Sequence, residues 1–313
     1  MRYVVTGSAG FVGAHVCEAL LERGHEVDGV DAFTGYYDPS IKRAKAARLA
    51  GHDRFRGIEL DLAREDLDDV VAGADVVIHL AAQPGVRLSW SEGFAVYVER
   101  NISASQRLLE AARRTRLPRL VLASSSSVYG NAPQQPIGED APTRPFSPYG
   151  VTKLAMEHLA SAYGANWGLS TVVLRYFTLY GPGQRPDMAL HRFIAAVAAG
   201  RPVPVYGDGE QVRDFTYVSD AAAATLAAAE VDVAPASVFN VAGGSPTTVN
   251  ALLGLVAEHV GRPLITRHLP TQAGDVRATY GATARARRGL GWQPETPLDD
   301  GVKLQVVQQL AGE

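Results

Sequence analysis

The segment Tyr3-Val4-Val5-Thr6-Gly7-Ser8-Ala9-Gly10-Phe11-Val12-Gly13 decides how the rest of the chain is read. A short apolar run enters a turn with glycine at 7, 10 and 13, and an apolar-periodic stretch then continues to Leu21. This is the pattern of a buried strand, a tight turn and a helix. Glycine suits a backbone that must turn sharply and approach another group closely, and the free N–H groups at a helix start attract an anionic diphosphate. Phe11 and Val12, between the last two glycines, belong to the same surface.

A second apolar run, Glu26 to Val30, ends at Asp31, close to the distance from such a turn at which an acidic residue meets the ribose hydroxyls of an adenine dinucleotide. A carboxylate there repels a 2′-phosphate, so the pattern favours NAD over NADP. Asp61-Leu62, after the third run, stands where it can hold the adenine edge, although aspartate at a strand end also serves as a turn former.

Further runs at Phe55 to Leu60, Val76 to Leu80, Leu120 to Ala123 and Thr171 to Leu174 alternate with longer amphipathic stretches. Strands separated by crossover helices build a parallel sheet covered on both faces. The expected architecture is α/β: a doubly wound parallel sheet of the Rossmann type with a second, smaller α/β substrate-binding lobe. Beyond Tyr176, Gly181-Pro182-Gly183, Arg185-Pro186, Arg201-Pro202 and Gly207-Asp208-Gly209 break the pattern into loops and short elements. The helical run Ala221 to Ala229 and apolar Val238 to Val241 can return to the first sheet. Residues 1–177 with about 215–240 are therefore expected in the dinucleotide-binding domain, and 178–214 with about 241–313 in the other lobe.

At 313 residues, 46% hydrophobic and 20% charged, the chain has the composition of an ordinary soluble protein with a large core. Lys plus Arg number 30 against 33 Asp plus Glu, so no positive field is available to hold nucleic acid or an anionic membrane. The partners expected are small molecules and other subunits. The single cysteine, Cys17, lies in an apolar stretch and reads as a packing residue, and an internal disulfide is impossible. The N-terminus opens directly on an apolar strand with neither a leader nor a membrane span, so the expected address is the cytoplasm. The eight histidines show no metal-ligand spacing, so no metal is expected, and His79 reads as a packed histidine.

Ser147-Pro148-Tyr149-Gly150-Val151-Thr152-Lys153 opens a helical segment, placing Tyr149 and Lys153 four apart on one face. A free phenol has a pKa near ~10, and a neighbouring ammonium stabilises its phenolate. Tyr149 then becomes an acid/base group. A surface Tyr and Lys at this spacing also arise by chance. Here, however, Leu120 to Ala123 ends in Ser124-Ser125-Ser126-Ser127-Val128-Tyr129-Gly130, a hydroxyl-rich strand end where such sheets place reacting groups.

Together, TGSAGFVG, Asp31, HLAAQPGVR, SSSSVYG and SPYGVTK resemble the extended short-chain dehydrogenase/reductase family, and the likeness covers nearly the whole chain. YGDGEQVRDFTYVSD and GDVRATY followed by GLGWQP resemble its nucleotide-sugar-modifying members. The resemblance implies Tyr149 as catalytic base, with Lys153 tuning it and holding the nicotinamide ribose. It also implies that Ser125 assists at the substrate hydroxyl and that Leu80, Ala81 and Ala82 lie along the cofactor.

Within the family, HLAAQPGVR and RYFTLYGPGQRPDM are most similar to UDP-glucuronate 4-epimerases. UDP-glucose 4-epimerases usually carry Asn after Arg-Tyr-Phe, where this chain has Thr178. Thr178 beside Ser126 and Ser127 can donate to a sugar carboxylate, and Arg185 can add charge to the carboxylate or the diphosphate. The resemblance further implies Arg213 on the UDP diphosphate and Asp275 on the uridine ribose. The alternative for Arg213 is a local ion pair with Asp214 or another surface carboxylate. Gln272 stands where UDP-glucose 4-epimerases often have arginine, leaving Arg277, Arg192 or Arg87 as the phosphate contact.

The activity implied is 4-epimerisation of a UDP-sugar, UDP-glucuronate first, through a 4-keto intermediate. UDP-glucose or an N-acetylated relative is the alternative. Decarboxylation or 4,6-dehydration fits less well, because Ser126 and Ser127 occupy positions where those activities place acidic residues. An NAD-binding sensor is the non-enzymatic rival, against which the intact Tyr149 and Lys153 count. The resemblance also implies a homodimer through the helical stretches Val96 to Arg114 and Lys153 to Tyr163.

Overall fold

The structure, a computed structural model, describes residues 1–312. Its large sheet has the strand order Ser237–Val241, Thr171–Tyr176, Arg119–Ser125, Val76–His79, Arg2–Thr6, Glu26–Asp31 and Phe55–Glu59, with every neighbouring pair parallel. The expected doubly wound sheet is therefore present.

Alternation along the strands explains why both faces are covered. Val5, Ile78, Val121 and Leu174 face the helices Phe11–Glu22 and Val218–Glu230, burying Val16, Leu20 and Ala224. Their neighbours Val4, Val77, Leu120, Leu122 and Val173 face the helices Ala104–Thr115 and Pro148–Trp167, burying Leu108, Leu109, Met156 and Ala160. With side chains alternating every residue, one continuous apolar run feeds two separate cores.

The long helix Pro148–Trp167 is bounded by its own sequence. The Ser147 side chain accepts the Gly150 N–H at 3.1 Å, Pro148 fills the first turn, and Gly168 ends the helix at φ 66°. The stretch expected as one helix from Val96 to Arg114 is instead Phe94–Tyr97, a π-helical Val98–Ser103 and Ala104–Thr115. The wider turn directs Asn101 inward, where it accepts from Gln83 N at 2.7 Å and donates to the Thr152 hydroxyl at 3.0 Å.

The smaller lobe pairs Val212–Tyr217 with Thr178–Tyr180, Pro246–Thr248 and Ala278–Thr279, and pairs Val203–Tyr206 with Thr266–Leu269. Its core gathers Tyr180, Ile194, Val205, Leu252, Val256 and Val302 from these strands and the helices Ala189–Ala198, Val249–Val260 and Leu298–Ala311. Among the described residues, no helix is long and apolar enough to cross a membrane. A deep cleft opens where the chain switches sides of the sheet, at the carboxyl ends of the strands.

Candidate functional site

The cleft has a volume of about 560 Å³, and its floor is the glycine turn. Gly7 has φ +72°, and a Cβ on it would lie 2.8 Å from Ala81 N. A Cβ on Gly13 would lie 2.0 Å from the Gly7 carbonyl oxygen. Only glycine lets the turn close this tightly. The helix Phe11–Glu22 starts without a capping side chain, which leaves its first N–H groups available to an anion.

Asp31 ends the second strand facing this turn, accepting from Ala9 N at 3.2 Å and Phe33 N at 2.8 Å. Gly7, Gly10, Phe11, Val12, Gly13, Asp31, Asp61, Leu62, Leu80, Ala81 and Ala82 all line the same cleft. An uncapped helix start, a glycine cradle and a carboxylate at the next strand end suit an adenine dinucleotide without a 2′-phosphate.

His79 is 2% exposed beneath this wall, with Nδ1 2.8 Å from the Thr6 hydroxyl and Nε2 3.0 Å from that of Ser105. Burial pulls its pKa down to about 3, so it is a neutral packed residue that steadies Thr6 and, through Thr6, the Ala81 N–H.

The catalytic-type residues meet in the middle of the cleft. Tyr149, Lys153 and Ser125 line it together with Ser126, Ser127, Thr178 and Arg185. The Ser125 hydroxyl donates to that of Ser127 at 3.1 Å and acts on the Tyr149 phenol, and Tyr97 packs edge-on against that ring at 6.2 Å. Burial raises the Tyr149 pKa, while the Ser125 hydroxyl and the positive charge of Arg185 oppose the rise. Lys153 is only 5% exposed and donates to the Ala123 carbonyl at 2.7 Å. Burial lowers its pKa to about 8 against the pull of Glu157. Lys153 is thus held against the strand, and the positive charge of Arg185 also acts on Tyr149.

A smaller cavity of about 180 Å³ adjoins on the second-lobe side, sharing Val86, Ser126, Ser127 and Thr178 with the main cleft and adding Arg213, Asp275 and Thr279. Arg213 donates to the carbonyl of Val212 at 2.8 Å and feels the charge of Asp275. Its neighbour Asp214 is 1% exposed and turns away to accept from Gly281 N at 3.2 Å, so an Arg213–Asp214 pair does not form. Arg87 lies 3.6 Å from Asp275 and stacks 4.1 Å over the Tyr206 ring.

Arg185 is clamped by Asp187 at 2.9 Å and lies near Tyr36, on the dinucleotide side of the main cleft and not in the Arg213 cavity. Three expected arginines, Arg87, Arg192 and Arg277, line neither cavity. Arg192 is exposed on the helix Ala189–Ala198, and Arg277 is tied to Asp208 at 2.7 Å on the surface. Of these three, Arg87 is the one that reaches Asp275. Among the described residues, no cluster of three or more His, Cys, Asp or Glu side chains could hold a metal ion.

The structure adds residues not singled out in the sequence. Tyr36, Tyr37 and Lys42 roof the dinucleotide part of the cleft, with Lys42 donating to Thr34 O at 3.1 Å. The cluster Phe33-Thr34-Gly35-Tyr36-Tyr37 after Asp31 is an aromatic loop signal that could have pointed to them. Glu157 and Arg175 form a buried ion pair at 2.6 Å behind Lys153. An arginine inside the apolar run Leu174-Arg175-Tyr176 was its visible sign.

Residues 3–242 match the model of the NAD dependent epimerase/dehydratase family. An uncharacterized UDP-glucose epimerase of Bacillus subtilis is 40% identical over 308 residues, covering 98% of this chain and 97% of that protein. A UDP-glucuronate 4-epimerase of Thermodesulfobacterium geofontis is 36% identical over 97% of this chain and 94% of its own. The crystal structure of a UDP-glucuronic acid 4-epimerase from Bacillus cereus, in complex with UDP-glucuronic acid and NAD, superposes with a TM-score of 0.97 at 37% identity and covers 100% of both chains.

Proposed function

Because this chain belongs to the NAD-dependent epimerase/dehydratase family, we propose that it inverts C4 of UDP-glucuronate to give UDP-galacturonate, with NAD as its resident cofactor. The observation carrying this reading is that Tyr149 and Ser125 line the main cleft, which shares Ser126, Ser127 and Thr178 with a cavity that adds Arg213 and Asp275.

Bound NAD accepts the C4 hydride and returns it to the opposite face of the 4-keto sugar. Tyr149 takes the proton of the 4-hydroxyl and gives it back when the ketone is reduced. Ser125 holds the same oxygen, and Lys153 and Arg185 supply the positive field that keeps the phenolate accessible. The glycine turn and the start of the first helix hold the dinucleotide phosphates, Asp31 the adenosine ribose, and Asp61 and Leu62 the adenine side. Leu80, Ala81 and Ala82 flank the cofactor. On the other side Arg213 meets the diphosphate, Asp275 the uridine ribose, and Arg87 closes over them.

A 4-keto uronate is a β-keto acid and loses carbon dioxide when its carboxylate bond aligns with the carbonyl π system. Ser126, Ser127 and Thr178 hold the carboxylate out of that alignment. No acidic side chain lies between Ser125 and Tyr129 to drive elimination or decarboxylation. UDP-glucose is the second reading, favoured by the likeness to the Bacillus subtilis protein. The assignment of 1–177 with about 215–240 to the cofactor, and of the rest to the nucleotide sugar, is part of the proposal. So are a cytoplasmic address and a homodimer through the helices carrying the exposed Phe94, Val96, Val151 and Trp167. Light scattering tests the dimer. Separate incubations with UDP-glucuronate and UDP-glucose, read by NMR at C4, test the substrate.

A further inference from the structure

We propose that Glu157 is the positioning residue of this site. In this proposal it keeps Lys153 in its ammonium form and, through Ser124, fixes the strand end that presents Ala123 to Lys153 and Ser125 to Tyr149. The role in catalysis rests on the reading above, while the placement does not.

Glu157 follows Lys153 by one helical turn, so both face the sheet. Its carboxylate, 7% exposed, accepts from the Ser124 hydroxyl and from Arg175 Nη2 at 2.6 Å and Nε at 3.0 Å. Ser124 and Arg175 are register partners on adjacent strands, so they approach the carboxylate from the same sheet. Ser124 lies between Ala123, which accepts from Lys153, and Ser125, which acts on the Tyr149 phenol. One carboxylate therefore governs both the backbone under the lysine and the hydroxyl under the tyrosine.

Charges around the pair are few. Lys153 faces Glu157 on its own helix and neutral His79 from the strand Val76–His79. Behind Arg175 stand Tyr129 at 2.9 Å, whose hydroxyl donates to Asn240 at 2.7 Å, then Glu139 and Arg285. The carboxylate end of the pair is the one that acts on Lys153. A buried ion pair gains little net stability over an apolar pair of the same size, so its value here is the field and the geometry it imposes.

The sequence holds four lysines, Lys42, Lys45, Lys153 and Lys303. Isotope-labelled lysine NMR of the NAD-loaded protein thus yields a tractable set of titrations, with Lys153 identified by its loss in Lys153→Met. Glu157→Gln should lower the Lys153 midpoint by about one pH unit, and Arg175→Met, which unpairs the carboxylate, should raise it. Opposite directions cannot arise from general loosening of the fold. Glu157→Asp, a milder change, should keep the midpoint within about half a unit of wild type. Ser124→Ala should lower kcat several-fold with the midpoint unmoved. If both charge variants shift the midpoint the same way, or Glu157→Gln leaves it in place, the proposal is overturned.

In turnover, the alkaline limb of kcat for UDP-glucuronate should follow the NMR midpoint in each variant. A limb that stays fixed while the midpoint moves overturns the link to catalysis. A wild-type protein that leaves UDP-glucuronate unchanged counts against the substrate, and the lysine titration still decides the role of Glu157.

Discussion

Lys153 donates its hydrogen bond to the carbonyl of Ala123 at 2.7 Å, one residue before the serine run that lines the cleft. A buried ammonium is thereby fixed against the strand that carries Ser125, and its charge is held in the cleft at an energetic cost.

That cost sets a first prediction. Burial lowers the Lys153 pKa to about 8 in the folded chain, against about 10.4 when unfolded. Below pH 8 the lysine is protonated in both states and the desolvation penalty is fully present. Between about 8 and 10 the unfolded chain binds more protons, so this group's contribution to stability improves as pH rises. Lys153→Met should abolish most turnover yet stabilise the fold at pH 7 by about 1–2 kcal/mol, after allowing for the orphaned Ala123 carbonyl. Urea unfolding of both proteins at pH 7 checks this, and a less stable variant would contradict it.

The substrate side gives a second prediction. Thr178 lines both cavities beside Ser126 and Ser127. Thr178→Val should raise UDP-pentose formation or weaken uronate binding by about tenfold, the effect of about 1.4 kcal/mol. Product ratios and affinity that both stay at wild-type values would remove Thr178 from the carboxylate site.

The arginines can be told apart. Arg213→Ala should raise KM for the nucleotide sugar at least about tenfold, because a charge-assisted contact to a phosphate is lost. Arg192→Ala, altering a side chain exposed outside both cavities, should stay within about twofold. The reverse ranking would place the diphosphate elsewhere.

Much of this site was legible because its chemistry is local in sequence. The glycine turn, Asp31 and the Tyr149–Lys153 spacing each depend on residues within a strand, a turn or one helical turn. What was not legible depends on contacts across the fold. The direction of the Lys153 ammonium is decided by Ala123, 30 residues away, and the Arg185 charge that also acts on Tyr149 is brought there only by the fold. Arg192 and Arg277 could not be separated from Arg87 by spacing, since only the folded lobe shows which arginine stands beside Asp275. The strands were readable from apolar runs, whereas the π-helical turn at Val98–Ser103 leaves no periodic signature and depends on Asn101 reaching Gln83 and Thr152.

Cofactor choice supplies a fourth prediction. The Asp31 carboxylate accepts two backbone N–H groups and lies in the cleft wall. Asp31→Ala should narrow the preference for NAD over NADP by at least about tenfold, since the repulsion of a 2′-phosphate is removed. Equilibrium binding of both dinucleotides measures it, and an unchanged ratio would shift the discrimination to another residue.

In the proposed reaction Tyr149 moves the proton of the C4 hydroxyl while the configuration at that carbon inverts. Purified protein should be incubated with UDP-glucuronate without added oxidant and followed by NMR at C4, beside Tyr149→Phe at equal NAD loading. The wild type should show a growing C4 epimer with no net NADH, and the variant a rate lower by about 10²–10⁴-fold. Equal rates in the two proteins, or no inversion by folded, NAD-loaded wild type, would contradict it.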